Sequence, residues 1–228
     1  MMDAKTRPNS ELIDRFKQGR KLAYRKGEII LRAAEEPSGV YYISQGFIRV
    51  YSITDQGEEN THIIYKTGEV FPLIWVFNSI ARNVIYESLG ESRLWRLPKD
   101  DLLHLVKTSH NISYSLLRQA VNLFNIFADR LDNLEYTDAF ERVVYRLLFL
   151  AGRFGQKKGK KIIINAPITH QHIASSINLA RETVSREIEI LERKDLISHQ
   201  KRLIVLNDIT RLENLIGESI SPNLWGLK

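Results

Sequence analysis

The apolar and polar positions divide the chain into three regimes. Residues 9–18, NSELIDRFKQ, suit one short helix opened by polar capping residues. From Lys26 to about Pro98 the pattern changes. Short β-rich runs (EIIL, GVYYIS, FIRVYSI, THIIY, NVIYES and SRLWRL) are punctuated by Gly27, Gly46, Gly57 and Gly68, and Asp55-Gln56-Gly57 reads as a hairpin tip. Many short strands at this spacing predict a barrel or jelly roll. Residues 99–135 then carry neither Gly nor Pro, and Leu116, Ala120, Leu123, Phe127, Leu131 and Leu134 recur at helical spacing. Such a stripe can pack on its own barrel. At the end of a small barrel, a stripe this long also predicts pairing with a second copy, as a homodimer.

The last third alternates helices with short strands. Asp138 followed by Glu141 is a capping pair for a helix that buries Phe140, Val143, Val144, Leu147 and Leu148 and ends near Gly152 or Gly155. GQKKGKK reads as an exposed loop, and KIIIN (161–165) as a strand closed by Pro167. Thr169 caps a helix through Ile177, Asn178-Leu179 makes a turn, and ARETVSREIEILERKDLI (180–197) forms a second helix. LISHQKRLIVL (196–206) reads as a hairpin with Gln200, Lys201 and Arg202 near its tip. Helix, turn, helix and hairpin in that order make a winged helix-turn-helix. The predicted fold class is α+β. A helix and β-roll (jelly roll) occupy 1–108, a dimerisation helix 109–136, the winged domain 137–216 and a tail 217–228.

The second helix carries the most specific chemistry. It begins with Arg181, Glu182, Ser185 and Arg186, with Val184, Ile188 and Leu191 behind them. Arginine holds a guanine edge by two hydrogen bonds, and glutamate accepts from the cytosine amino group. An Arg-Glu pair on a helix is usually a solvated face. Here both residues sit in the first turn of the second helix after a short turn, which favours base reading. Charge agrees. The formal net charge is +6, and residues 138–228 hold 15 Lys and Arg against 10 Asp and Glu, whereas residues 1–137 hold 18 against 17. A basic excess favours polyanions such as double-stranded DNA.

Other function classes recede. The absence of Cys excludes thiolate zinc sites and cysteine-held iron–sulfur clusters. No apolar run approaches the ~18 residues of a membrane span. The start, MMDAKTRPNSEL, lacks a signal-peptide core, so a cytoplasmic protein without a membrane partner is expected. A β-roll metal enzyme needs several His and carboxylates converging in the roll, and His62 is the only His there. His170 and His172 are two apart on a helix and face different ways, and His199 lies near the wing tip. With no nucleophile–base constellation and no phosphate-cradling glycine loop, neither an enzyme nor a metal or cofactor site is expected.

ITHQHIASSINLARETVSREIEILERKDLI resembles the helix-turn-helix signature of the Crp/Fnr family of bacterial transcription regulators. YYISQGFIRVYSITDQGEENTHIIYKTGEVF resembles that family's β-roll, and the likeness runs from about residue 12 to 216. The resemblance implies a homodimer whose recognition helices enter successive major grooves, with half-sites roughly 34 Å apart. It gives base contact to Arg181, Glu182, Ser185 and Arg186. Glu182 would orient Arg186 on guanine, which makes a G·C pair the natural target. Thr169, Gln171, Thr183, Lys201 and Arg202 are placed for phosphates. RNA polymerase is the implied further partner. One departure is Ala180, where the family usually has a capping Ser; losing a cap costs about 1 kcal/mol. Asn178 is the candidate to compensate.

The sensor is less defined. Cyclic-AMP-binding members carry a Gly-Glu pair where this chain has Pro72-Leu73; Glu69 belongs to the preceding turn and Arg82 is the only donor near the expected Arg. Cyclic nucleotide binding is therefore not expected. Two readings stay open. A small, mostly apolar or aromatic effector could sit between barrel and long helix, lined by Phe71, Trp75, Phe77, Arg82, Tyr86 and Phe124. Alternatively, these aromatics fill an ordinary core and the regulator is ligand-independent.

Overall fold

The computed structural model describes residues 9–135 and 138–216, the side chains of residues 134 and 135 excepted. The chain divides into two compact units, with the division between Ile126 and Phe127.

The first unit opens with α1 (Ser10–Lys17), where the Asn9 side chain accepts from the Leu12 N–H at 3.3 Å. Eight strands follow: β1 (Arg20–Tyr24), β2 (Ile29–Leu31), β3 (Val40–Gln45), β4 (Phe47–Ile53), β5 (Glu59–Lys66), β6 (Val70–Phe71), β7 (Ile85–Ser88) and β8 (Ser92–Leu97). They form two four-stranded antiparallel sheets, ordered β1-β8-β3-β6 and β2-β7-β4-β5. The β4–β5 hairpin turns through Gly57, whose φ of 81° is the left-handed conformation that glycine adopts without strain. Strand β1 is not among the runs expected from side-chain pattern. RKLAY has little apolar content, and it is held by its ladder to β8 rather than by a buried face.

Rings from both sheets fill the roll. Phe71, fully buried, stacks on Tyr41 at 5.2 Å, Tyr65 at 5.6 Å and Tyr86 at 5.1 Å between centroids. A second cluster joins Phe16, Val70, Trp75, Leu102, Ile112 and Leu116, which packs helices against the roll. Those helices are α1, α2 (Leu73–Asn78), α3 (Lys99–Thr108) and α4 (His110–Glu135). The Gly- and Pro-free run is thus two helices, broken where Ser109 turns extended and its Oγ accepts from the Ile112 N–H. From α4, Gln119 completes the short strand β6. Its Nε2 donates to the Val70 carbonyl at 2.6 Å and its Oε1 accepts from the Val70 N–H at 2.9 Å, as a neighbouring strand would.

In the second unit Asp138 caps α5 (Ala139–Phe154), its Oδ1 accepting from the Phe140 N–H at 2.6 Å. Val143, Val144, Leu147 and Leu148 form the unit's buried centre. The stretch expected as an exposed loop is instead half strand. β9 (Gly155–Lys158) pairs with β10 (Lys161–Ile164) around Gly159, whose φ of 62° supplies the tight tip. The paired backbone needs no apolar side chains, so the Lys-rich sequence hides it. After α6 (His170–Ile177) and α7 (Arg181–Arg193), β11 (Ile197–Gln200) and β12 (Leu203–Leu206) complete a sheet ordered β11-β12-β10-β9. The short α8 (Ile209–Asn214) closes the described chain, capped by Asp208.

Candidate nucleic-acid interface

Helix α6 starts with a capping box in which His172 takes the place usual for Glu or Gln. Thr169 Oγ1 accepts from the His172 N–H at 3.2 Å, and His172 Nδ1 accepts from the Thr169 N–H at 3.3 Å. The hydroxyl hydrogen of Thr169 is left for an outside acceptor such as a phosphate oxygen. The helix ends at Asn178 in the left-handed conformation (φ 54°, ψ 49°), and α7 begins at Arg181. No side chain caps α7; Asn178 serves the end of α6 instead. The expectation that Asn178 compensates for Ala180 is corrected on that point.

Val184, Ile188 and Leu191 are buried and fix which face of α7 turns outward. That face carries Arg181, Glu182 and Arg186, all exposed, with Thr183 and Ser185 half-buried beside them. Thr169, Gln171, Lys201 and Arg202 are exposed as well, the last two at the β11–β12 turn. Arg186 Nη2 donates to Thr183 Oγ1 at 3.4 Å, and no ion pair joins it to Glu182 among the described residues. The Glu182 and Arg186 side chains are both exposed.

Ser185 is less open than expected. Its Oγ lies 2.9 Å from His170 Nδ1. The His170 ring tilts against that of His199, centroids 6.2 Å apart, and His199 Nδ1 meets Glu192 Oε1 at 2.6 Å. Burial, then the neighbouring His199 and Arg181, hold the His170 imidazole below its ordinary pKa, with Glu192 and Glu189 acting the other way. The positions of these histidines along the chain argue against a metal site and give no sign of this cluster.

The six residues offered for an effector pocket are not brought together. Phe71 and Tyr86 belong to the ring stack, and Trp75 is buried in the second cluster with Lys99 Nζ 4.7 Å over its ring. Phe77 is half exposed and Phe124 is 72% exposed, so neither lines an interior. Trp75, Arg82 and Tyr86 do share a cavity, but it measures only about 20 Å³, room for a water or two. His62, the single His of the roll, bonds to Ser52 Oγ at 3.0 Å.

Helix α4 also departs from the expected stripe. Leu116 is core, Leu123 packs against that core and Phe127 is half-buried, whereas Ala120 and Leu131 are exposed; the Leu134 side chain lies outside the described residues. The large apolar residues of the helix left exposed are Tyr114, Leu117, Val121, Phe124 and Leu131. At 3.6 residues per turn they run about a quarter turn around the helix from the expected line.

The first part of the chain matches the family model of the cyclic nucleotide-binding domain over residues 21–109, and the last part matches the Crp-like helix-turn-helix domain over residues 141–215. The chain is a Crp/Fnr-family transcription regulator. It is 24% identical over 196 residues to the CRP-like cAMP-activated global transcriptional regulator of Mycobacterium tuberculosis strain H37Rv, covering 86% of this chain and 88% of that protein. It is 24% identical over 190 residues to the global nitrogen regulator of Nostoc sp. strain PCC 7120, covering 82% of this chain and 85% of the relative. Its fold is that of FixK2 from Bradyrhizobium japonicum, with a TM-score of 0.75 at 22% identity over 88% of this chain and 98% of that one. Within the Crp/Fnr frame, the roll is the sensor domain and α6–α7 the DNA-binding element. No helix among the described residues is long and apolar enough to cross a membrane.

Proposed function

We propose that this regulator binds inverted repeats in double-stranded DNA as a homodimer and acts on transcription through RNA polymerase. The carrying observation is α7: three exposed charged residues, Arg181, Glu182 and Arg186, held outward by a buried Val184-Ile188-Leu191 face. Arg186 reads guanine, Glu182 the cytosine amino group, and Arg181 a second guanine. Thr169, Gln171, Thr183, Lys201 and Arg202 contact phosphates and set register. The partner subunit meets the exposed α4 stripe.

In vitro selection followed by mobility shift tests this. A G·C-containing inverted repeat should be enriched, and its affinity should fall steeply with salt. Arg186→Ala should cost about 1–3 kcal/mol and relax the preference at one base pair. If that variant keeps the full preference, Arg186 does not read the base.

The ring-filled roll supports a regulator that binds DNA without a cyclic nucleotide, in line with Pro72-Leu73. Cyclic AMP, added to the purified protein, should leave both the thermal midpoint and the DNA affinity unchanged. A saturable shift in either would overturn this reading and make Arg82 the first residue to test as the phosphate ligand.

A further inference from the structure

His170 lies on α6, outside the set of residues that meet bases, yet it touches one of them. We propose that His170 is a specificity-determining residue of the DNA interface: its Nδ1 accepts the hydrogen bond of the Ser185 hydroxyl and so presents Ser185 Oγ to the groove as an acceptor only. The proposal rests on the base-reading role given above to α7.

A serine hydroxyl has one hydrogen to give and two lone pairs. Nδ1 lies 2.9 Å from Oγ; in the proposed tautomer, the neutral imidazole carries its proton on Nε2 and the hydroxyl hydrogen is spent on Nδ1. Oγ can then only accept, which suits the amino groups of adenine or cytosine in the major groove. A protonated ring reverses the bond. Nδ1–H donates to Oγ, and the freed O–H donates to guanine O6 or N7 or to thymine O4. One proton on His170 thus inverts the polarity of the group that reads the base, without moving the helix.

The charged surroundings decide which state prevails. Facing His170 are Arg181, Glu189 and Glu192 from α7 and His199 from β11. Burial, His199 and Arg181 disfavour the imidazolium. These groups favour the neutral ring, the state in which Nδ1 can accept and Ser185 seeks an amino group. His199 is itself held by Glu192, so β11 steadies the ring from behind.

The test measures base preference at the position Ser185 reads, identified as the one that Ser185→Ala alters. Wild type, His170→Asn, His170→Ala and Ser185→Ala are compared at pH 8 and pH 5 on duplexes carrying each of the four bases there. Asparagine sets Oδ1 near the place of Nδ1 as an acceptor that does not titrate. Wild type should prefer adenine or cytosine roughly fivefold at pH 8 and lose or invert that preference at pH 5. His170→Asn should keep it at both values, and His170→Ala should lose it at both. Both His170 variants should keep guanine selection at the Arg186 position. Retention of the preference by His170→Ala overturns the proposal, as does a wild-type preference unmoved by pH. Failure of wild type to enrich any inverted repeat overturns the function proposed above and this inference with it. Intact G·C selection with an unmoved Ser185 position overturns the inference alone.

Discussion

Phe124→Asp combined with Leu117→Asp is expected to give a folded monomer whose affinity for the full inverted repeat is roughly a hundredfold or more below wild type. Both residues lie on the exposed stripe of α4, 72% and 60% accessible in the single chain. A residue that open contributes little to the fold of one copy, so an aspartate there is solvated and the thermal midpoint of the monomer should hold. Burying a Phe or Leu against a partner is favourable by about 1.5–3 kcal/mol each, and a charge forced into the same place is expensive to desolvate. Pairing is thus opposed from two directions. The DNA effect follows from linkage. A joined second half-site is met at an effective concentration set by the dimer, which raises avidity by roughly 10²–10⁴ without any new contact. Sedimentation gives the oligomeric state and mobility shift gives the affinity. Leu116→Asp is the contrasting control: Leu116 is buried in the roll-facing cluster, so that variant should unfold. A Phe124–Leu117 double variant that sediments as a dimer would remove α4 as the interface.

The two-part architecture is legible in the sequence because each part has its own period. The turn-punctuated strands and the helix-turn-helix with its Val184-Ile188-Leu191 face follow from side-chain pattern alone. What escapes depends on the backbone or on a third dimension. β1 and β9 are paired by ladders that do not require apolar side chains. The exposed α4 stripe differs from the expected one because period counting finds every apolar residue on a helix but not which half of them the same chain already covers. Leu116 and Leu123 satisfy the period by packing on their own unit, while Tyr114, Leu117, Val121 and Phe124 satisfy it equally and stay outside. The His170–Ser185 contact joins residues 15 apart across a turn, and neither residue type announces it.

Phe71→Ala is expected to destabilise the first unit by about 3–5 kcal/mol, the range for deleting a buried Phe side chain. Phe71 is fully buried and contacts three rings at once, from β3, β5 and β7. Offset ring pairs add to the burial term, roughly 0.5–1.5 kcal/mol each, so the loss should fall at the upper end of the range. Tyr86 reports on the same interior. Burial pushes its hydroxyl up to about 12, against the opposing pull of Arg82. Urea unfolding followed by tyrosine fluorescence measures the loss, and the Tyr86 titration should move back toward its ordinary value as water enters the space left by the ring. The outcome bears on regulation as well as stability. An effector that entered the stack itself would have to displace a ring. A loss below about 1 kcal/mol, far under the usual range for such a deletion, would mean that the rings repack at little expense, and an interior that repacks so readily could open for a small aromatic effector after all.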